Sequence, residues 1–278
     1  MFALFKRKLA KNWLMILGWG LGLGVLGFFI FHIYENFFQE NVDLQQVMQA
    51  FPEGLMSFFG GDVNLFKPSG FLHLEFFSYI PVILGIVAIS SGANLIAKTE
   101  EDGTLEVIIS QPVSRSLVFW SRLLALLLSL VLILLITWIG FALGLETTST
   151  FEIGQDQLVK PFISLFAILM VFLGLSLLLS MILPSSNTAS IITGMVLIAS
   201  YFISSLANID DSLQGINRFS PIKYYQGGTA IGGLDINNLM ILLGFSVVFI
   251  LIAWWLFTRR DLRFGGSGGF RIVLAPKK

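Results

Sequence analysis

The 278-residue chain contains no cysteine, only two histidines, and few charges, at 12% of its residues. Each scarcity excludes something. Without cysteine there can be no disulfide, no cysteine-ligated zinc, no iron–sulfur cluster and no thiol nucleophile. His32 and His73 stand far apart in the sequence, which argues against a histidine metal site. The 17 basic and 17 acidic residues cancel, so no basic surplus points to nucleic acid. Charges this sparse and clustered cannot coat a soluble domain of this length.

What fills the chain instead is apolar sequence: 55% of the residues are hydrophobic and the mean hydropathy is +0.84. In runs this long, that composition predicts an all-α polytopic membrane protein, because a helix satisfies every backbone polar group within itself. Six spans are expected, at about residues 13–33, 76–97, 117–143, 162–183, 190–206 and 238–257. Together they predict one transmembrane domain over residues 1–263. The Gly-rich stretch in the tail, 264–278, reads as a flexible linker, since no Lys-Ser/Thr pair follows to make a phosphate loop.

Residues 2–12 mix Phe2, Leu4, Phe5 and Leu9 with Lys6, Arg7, Lys8 and Lys11, the composition of an amphipathic helix on an anionic inner leaflet. The apolar run that follows has no small-residue cleavage pattern and is read as a retained span rather than a signal peptide. It carries Gly18, Gly20, Gly22 and Gly24, which are expected to let a neighbouring helix approach closely. Residues 22–27 formally match a dinucleotide fingerprint, but no strand precedes them. Beyond this span, Leu44, Val47, Met48 and Phe51 have the spacing of an external amphipathic helix. Pro81 is expected to kink the second span, and Arg122 to snorkel from the third toward the headgroups.

Lys and Arg set the orientation. Lys67, Lys160, Arg218 and Lys223 are the exceptions among the 17; the others gather at the two termini and beside the second and third spans. The positive-inside rule therefore puts both termini in the cytoplasm, with the segment between those two spans. No Asp, Glu, Lys or His falls in mid-span, where a carrier driven by an ion gradient needs one. Intramembrane protease and hydrolase motifs are absent, as is a Walker loop, so no catalytic residue is assigned to this chain.

The segment that organises the rest is Lys98 to Arg115, a charged island between apolar runs. Glu100, Glu101, Asp102 and Glu106 surround Gly103, a breaker, and Thr104, a good N-cap. Leu105, Ile108 and Ile109 would share one face of a short helix that Pro112 ends. A helix of two turns is marginal alone in water and needs a surface to lie on.

The run from Glu100 through Glu106, with Pro112-Val113-Ser114-Arg115, resembles the signature after the second span of ABC type-2 exporter permeases. Ser220-Pro221 with Tyr224-Tyr225, and Phe257-Thr258-Arg259-Arg260-Asp261-Leu262, are similar to that pattern too. The resemblance extends over essentially the whole chain apart from the Gly-rich tail. It implies a type V exporter-like permease whose short coupling helix docks on a soluble ATPase subunit. Two such ATPases and a second permease copy or sister permease are implied, with ATP and Mg bound by the partners and no cofactor by this chain. The aliphatic residues would fill the ATPase groove and the acids would meet its basic rim, while Arg115 would contact lipid phosphate or the start of the third span. ATP-driven export of a lipophilic solute from the inner membrane follows as the expected function. Two readings from other classes are a non-transporting scaffold or sensor that recruits a cytoplasmic regulator, and a secondary carrier. The substrate is not legible. In-span hydroxyls such as Thr137, Ser176, Ser180, Thr193 and Ser200 could line a route or join helices. By analogy with the family, residues 208–237 could dip back and cap an exit.

Overall fold

The computed structural model describes residues 2–39, 67–105, 113–149, 151 and 153–259, with Gly54 and Phe58. The external helix expected around Leu44 to Phe51, and the tail beyond Arg259, lie outside the described residues. Among those described there is no strand. Helix α1 (Phe2–Lys11) is joined by Asn12 to α2 (Trp13–Gln39). Then come α3 (Pro68–Leu72), a π-helical turn (His73–Phe77), α4 (Ile80–Ala93) and α5 (Ala97–Glu101). Long helices follow: α6 (Arg115–Thr147), α7 (Gln155–Ile182), α8 (Ser186–Leu206) and, after short pieces that include α9 (Gln214–Asn217), α10 (Ile236–Arg259).

Among the described residues, five helices are long and apolar enough to cross a membrane: α2, α6, α7, α8 and α10. The broken unit Pro68–Phe77 with Ile80–Ala93, bent by 40°, makes a sixth candidate when its two parts are counted as one span. Here the structure corrects the expectation. The second span starts near residue 68 rather than 76, and the change of direction comes at Ser78 and Tyr79, just before Pro81. Proline lacks the amide N–H that a continuing helix needs, so Pro81 sits in the first turn of α4, where that donor has no intrahelical partner anyway. The π turn closes through the Ser78 N–H donating to the His73 carbonyl at 2.7 Å.

Helix α7 is the hub. In its most apolar window 72% of the helix is buried, against 22% for α10 and 28% for α8. Helices at the edge turn Leu14, Met195, Phe202, Met240 and Val247 outward, as a lipid-facing surface requires. Phe31, Phe76, Phe77, Phe141 and Phe162 interlock edge to face at one end of the bundle, joining α2, the π turn, α6 and α7.

Four of the five glycines of α2, Gly18, Gly20, Gly22 and Gly24, divide into two faces. A Cβ on Gly20 would meet the Ile136 side chain at 2.9 Å and one on Gly24 the Ile136 carbonyl at 3.1 Å. From the other side, Gly140 of α6 lies on the Gly24 backbone with no room for a methyl group. Gly18 and Gly22 have nothing within 4 Å of such an atom and face outward. Close approach of backbones is what holds helices together where water provides no hydrophobic drive, so Gly20 and Gly24 set the α2–α6 pair.

Thr137, Ser176, Ser180 and Thr193 bond within their own helices. Each hydroxyl donates to a carbonyl three or four residues earlier in its own helix, at 2.7 to 2.9 Å.

Candidate functional site

The acidic island forms a compact joint at one end of the bundle. Helix α5 stops where Gly103 adopts φ +68, a left-handed conformation that carries a steric cost for residues with a Cβ. Its N–H donates to the Glu100 carbonyl and that of Asp102 to the Lys98 carbonyl, both at 3.0 Å, so the last turn is closed. Acids crowd this end of the helix, where the macrodipole disfavours them; Lys98 offsets that, with its ammonium 3.5 Å from Asp102 and 3.9 Å from Glu101.

Glu101 reaches away from its own helix. One carboxylate oxygen accepts the Ser186 backbone N–H at 2.6 Å, and the other accepts the Ser186 hydroxyl at 3.1 Å. Ser186 is the first residue of α8, and its neighbour Ser185 caps that helix by accepting the Thr188 N–H at 3.1 Å. The first N–H groups of a helix have no intrahelical acceptor and carry its positive pole, so a carboxylate here is doubly favoured. The uncharged turn at Pro184–Ser186 thus receives its anion from the island.

Arg122 supplies the second tie. Its guanidinium donates to the Leu95 carbonyl at 3.1 Å and the Thr99 hydroxyl at 2.8 Å, and Thr99 in turn donates to the Ile96 carbonyl at 2.7 Å. The residue is 8% exposed. The expectation that it snorkels to headgroups is therefore corrected: the carbonyls left open where α4 ends and α5 begins are closer and already buried. Breaks in helices free backbone acceptors, and a buried cation with several donors closes them.

Helix α1 packs on the first half of α6, held by the Asn12 amide donating to the Ser129 hydroxyl at 3.1 Å. Lys6 and Arg7 are exposed while Lys8 is half-buried. Desolvation, then the charges of Arg122 and Lys11, hold the Lys8 ammonium below its usual pKa. Trp254 of α10 donates to Ser116 at 3.1 Å, near Arg115 at the start of α6.

Of the residues the sequence singled out, Asp102, Thr104 and Glu101 present surface to solvent. Glu100 and Leu105 turn inward, at 4% and 1% exposure, and Leu105 joins the apolar core of this chain. The Thr104 hydroxyl donates to the Thr99 carbonyl at 3.3 Å. Glu106, Ile108, Ile109 and Pro112 lie outside the described residues. Sequence reasoning missed Ser186 altogether. The one available signal was the Pro-Ser-Ser turn ahead of an apolar helix, which marks an N-terminus but not the carboxylate that binds it. No group of His, Asp or Glu suited to a metal ion occurs among the described residues.

The joint ties α5 to α6 through Arg122 and to α8 through Glu101.

The uncharacterized membrane protein YdbK of Bacillus subtilis (strain 168) is 25% identical over 207 residues, which cover 68% of this chain and 83% of the relative. Residues 10–262 match the family described as ABC-2 family transporter protein. With that match extending over nearly the whole sequence, the chain belongs to the ABC-2 family of membrane transporter proteins.

Proposed function

We propose that this chain is the transmembrane subunit of an ATP-driven exporter that moves a lipophilic or amphipathic solute out across the cytoplasmic membrane. In this reading both termini and the island are cytoplasmic, two soluble ATPases bind beneath, and a second permease copy or a sister permease completes the pathway. ATP and Mg are held by the ATPases.

The observation that carries the reading is the clamp of Glu101 on Ser186 beside the exposed Asp102 and Thr104. The sequence carries no Walker loop, and the island offers a charged outer face while its inner face is fastened to two spans. Force applied by a partner at Asp102 and Thr104 has a defined path into α6 and α8. Leu105 does not fit a partner's groove in this conformation, so contact falls to the exposed polar residues and to the segment that follows.

Asp102→Arg with Thr104→Arg tests it at two exposed positions and leaves Glu101, Ser186 and Arg122 unchanged. Affinity purification of the tagged permease, co-expressed with its candidate ATPase, is expected to recover the ATPase with the parent chain and to lose it with the double variant. Equal recovery of the ATPase with both chains would sink the assignment.

A further inference from the structure

At the end of the bundle opposite the island, a polar cavity of about 280 Å³ opens beside the end of α8. It accommodates about nine waters by volume, enough for a lipid headgroup and too little for a whole lipid. Tyr201, Ser204, Ser205 and Asn208 line it from one helical face, at i, i+3, i+4 and i+7. The facing wall includes Asn217 and Lys223, held on the short pieces after α8.

These walls are built, not loose. Ser204 donates to the Asn217 side-chain oxygen at 2.7 Å and lies 2.9 Å from the Ser220 hydroxyl, which donates to the Ser200 carbonyl at 3.0 Å. Asn217 is 5% exposed, and with its oxygen taken by Ser204, its amide NH₂ is left as a donor at the cavity wall. Behind it, the His73 Nδ1 accepts the Gly228 N–H at 3.1 Å, and the Tyr225 hydroxyl donates to the Phe77 carbonyl at 3.0 Å, anchoring the segment to the π turn.

The lining is electrically one-sided. Among the described residues, Lys223 is its single formal charge, and neither Asp nor Glu lines it. The nearby Asp210 is turned to its own chain, accepting the Ser212 N–H at 2.9 Å. Neutral donors around one ammonium suit a phosphate, which offers acceptors and negative charge only.

Alongside the polar face runs an apolar one that water would not tolerate so exposed. Phe202 and Leu206 on the adjoining face of α8, with Ile209 just past its end, are 42% to 51% exposed, and Ile216 and Phe219 flank Asn217 at 57% and 83%. Polar residues directed at a cavity, with large apolar residues beside them at a helix end, match a molecule with a charged head and a hydrocarbon tail at the membrane interface.

We propose that this cavity is a binding site for the headgroup of an anionic phospholipid, with Lys223 and Asn217 on its phosphate and its chains along Phe202 and Phe219. The inference requires only that the chain sits in a bilayer with this end at the headgroups, and it stands independently of ATP-driven export.

The test uses the full-length chain in phosphatidylcholine nanodiscs titrated with phosphatidylglycerol, read by native mass spectrometry and by a fluorescent phosphatidylglycerol. Saturable binding is expected, weakened about tenfold by Lys223→Ala and further by Lys223→Glu, and unchanged by Lys160→Ala, another cation assigned to that face. Phe219→Ser, at a position too exposed to affect folding, is expected to weaken it as well. Competition by inorganic phosphate would show that the phosphate is the recognised group and support the site. Binding equal for Lys223→Glu and the parent, or equal for phosphatidylcholine, would overturn it. So would inorganic phosphate shielding Lys223 from acylation while no lipid is retained, since the cavity would then take the free ion.

Discussion

The Glu101 carboxylate accepts both the backbone N–H and the hydroxyl of Ser186, 85 positions further along the chain. Lys98 stands beside it on α5, so the contact is a charged cap on a helix that begins elsewhere in the sequence. It makes the island part of the bundle, not an appendage.

Removing the clamp is expected to separate binding from coupling. Glu101→Ala should cost about 1–2 kcal/mol, the range for losing a charged cap at a helix start. Glu101→Gln keeps an acceptor and should lose about half of that. Thermal unfolding in detergent reads the stability. With the ATPase present, both variants should still bind it while substrate movement in proteoliposomes falls more than ATP turnover. Full transport with Glu101→Ala would show that the tie to α8 carries no force.

Arg122→Met should be among the most damaging single changes in this face of the protein. It strands the Leu95 carbonyl and the Thr99 hydroxyl in a buried setting, at about 2–3 kcal/mol. Increased proteolysis near residues 94–99 in the folded protein would report a loosened joint. An unfolding midpoint equal to the parent would mean these acceptors find other partners.

Glycine substitutions should sort by face. Gly140→Ala would drive a methyl into the Gly24 backbone and force α2 away from α6, whereas Gly18→Ala and Gly22→Ala meet open space. The first is expected to destabilise by about 2 kcal/mol or more, and the others to stay within about 1 kcal/mol of the parent. Detergent melting curves decide this, and a neutral Gly140→Ala would contradict the contact.

Lys8 supplies a pH signature. Burial and the neighbouring cations lower its folded pKa, so the unfolded state binds more protons in the window between that value and the ordinary lysine value. Stability at this site therefore rises with pH across the window and levels off above about 10.5. Lys8→Met should flatten that rise in an unfolding titration under alkaline conditions. An identical slope for the variant would place the burden on other groups.

The absence of cysteine makes topology directly measurable. Single replacements Asp102→Cys and Asp235→Cys, both exposed, should react with a membrane-impermeant maleimide from opposite sides of the membrane, Asp102→Cys from the cytoplasm. Labelling of both from one side would break the six-crossing arrangement.

Crossings and fold class were legible from composition, because apolar length is a local property and a helix in lipid satisfies its own backbone. Gly103 as a stop and Pro81 as a disruption were also local, since each acts through its own backbone geometry. The roles of Arg122 and Glu101 were not. A lone arginine one turn inside a span reads equally as a snorkelling anchor or a buried clasp, and what separates them is whether open carbonyls lie within its reach. Those carbonyls belong to Leu95 and to the break after α4, which only the packed bundle brings beside α6. In the same way the spacing of Gly18, Gly20, Gly22 and Gly24 marked close packing, while the choice of Gly20 and Gly24 as the used pair depended on where Gly140 came to lie. The sequence by itself determined a helical membrane protein with an acidic island between two crossings. Tertiary structure alone decided which island residues face out and which hold the bundle, because hydrogen bonds across 27 or 85 positions depend on distances that no local pattern encodes.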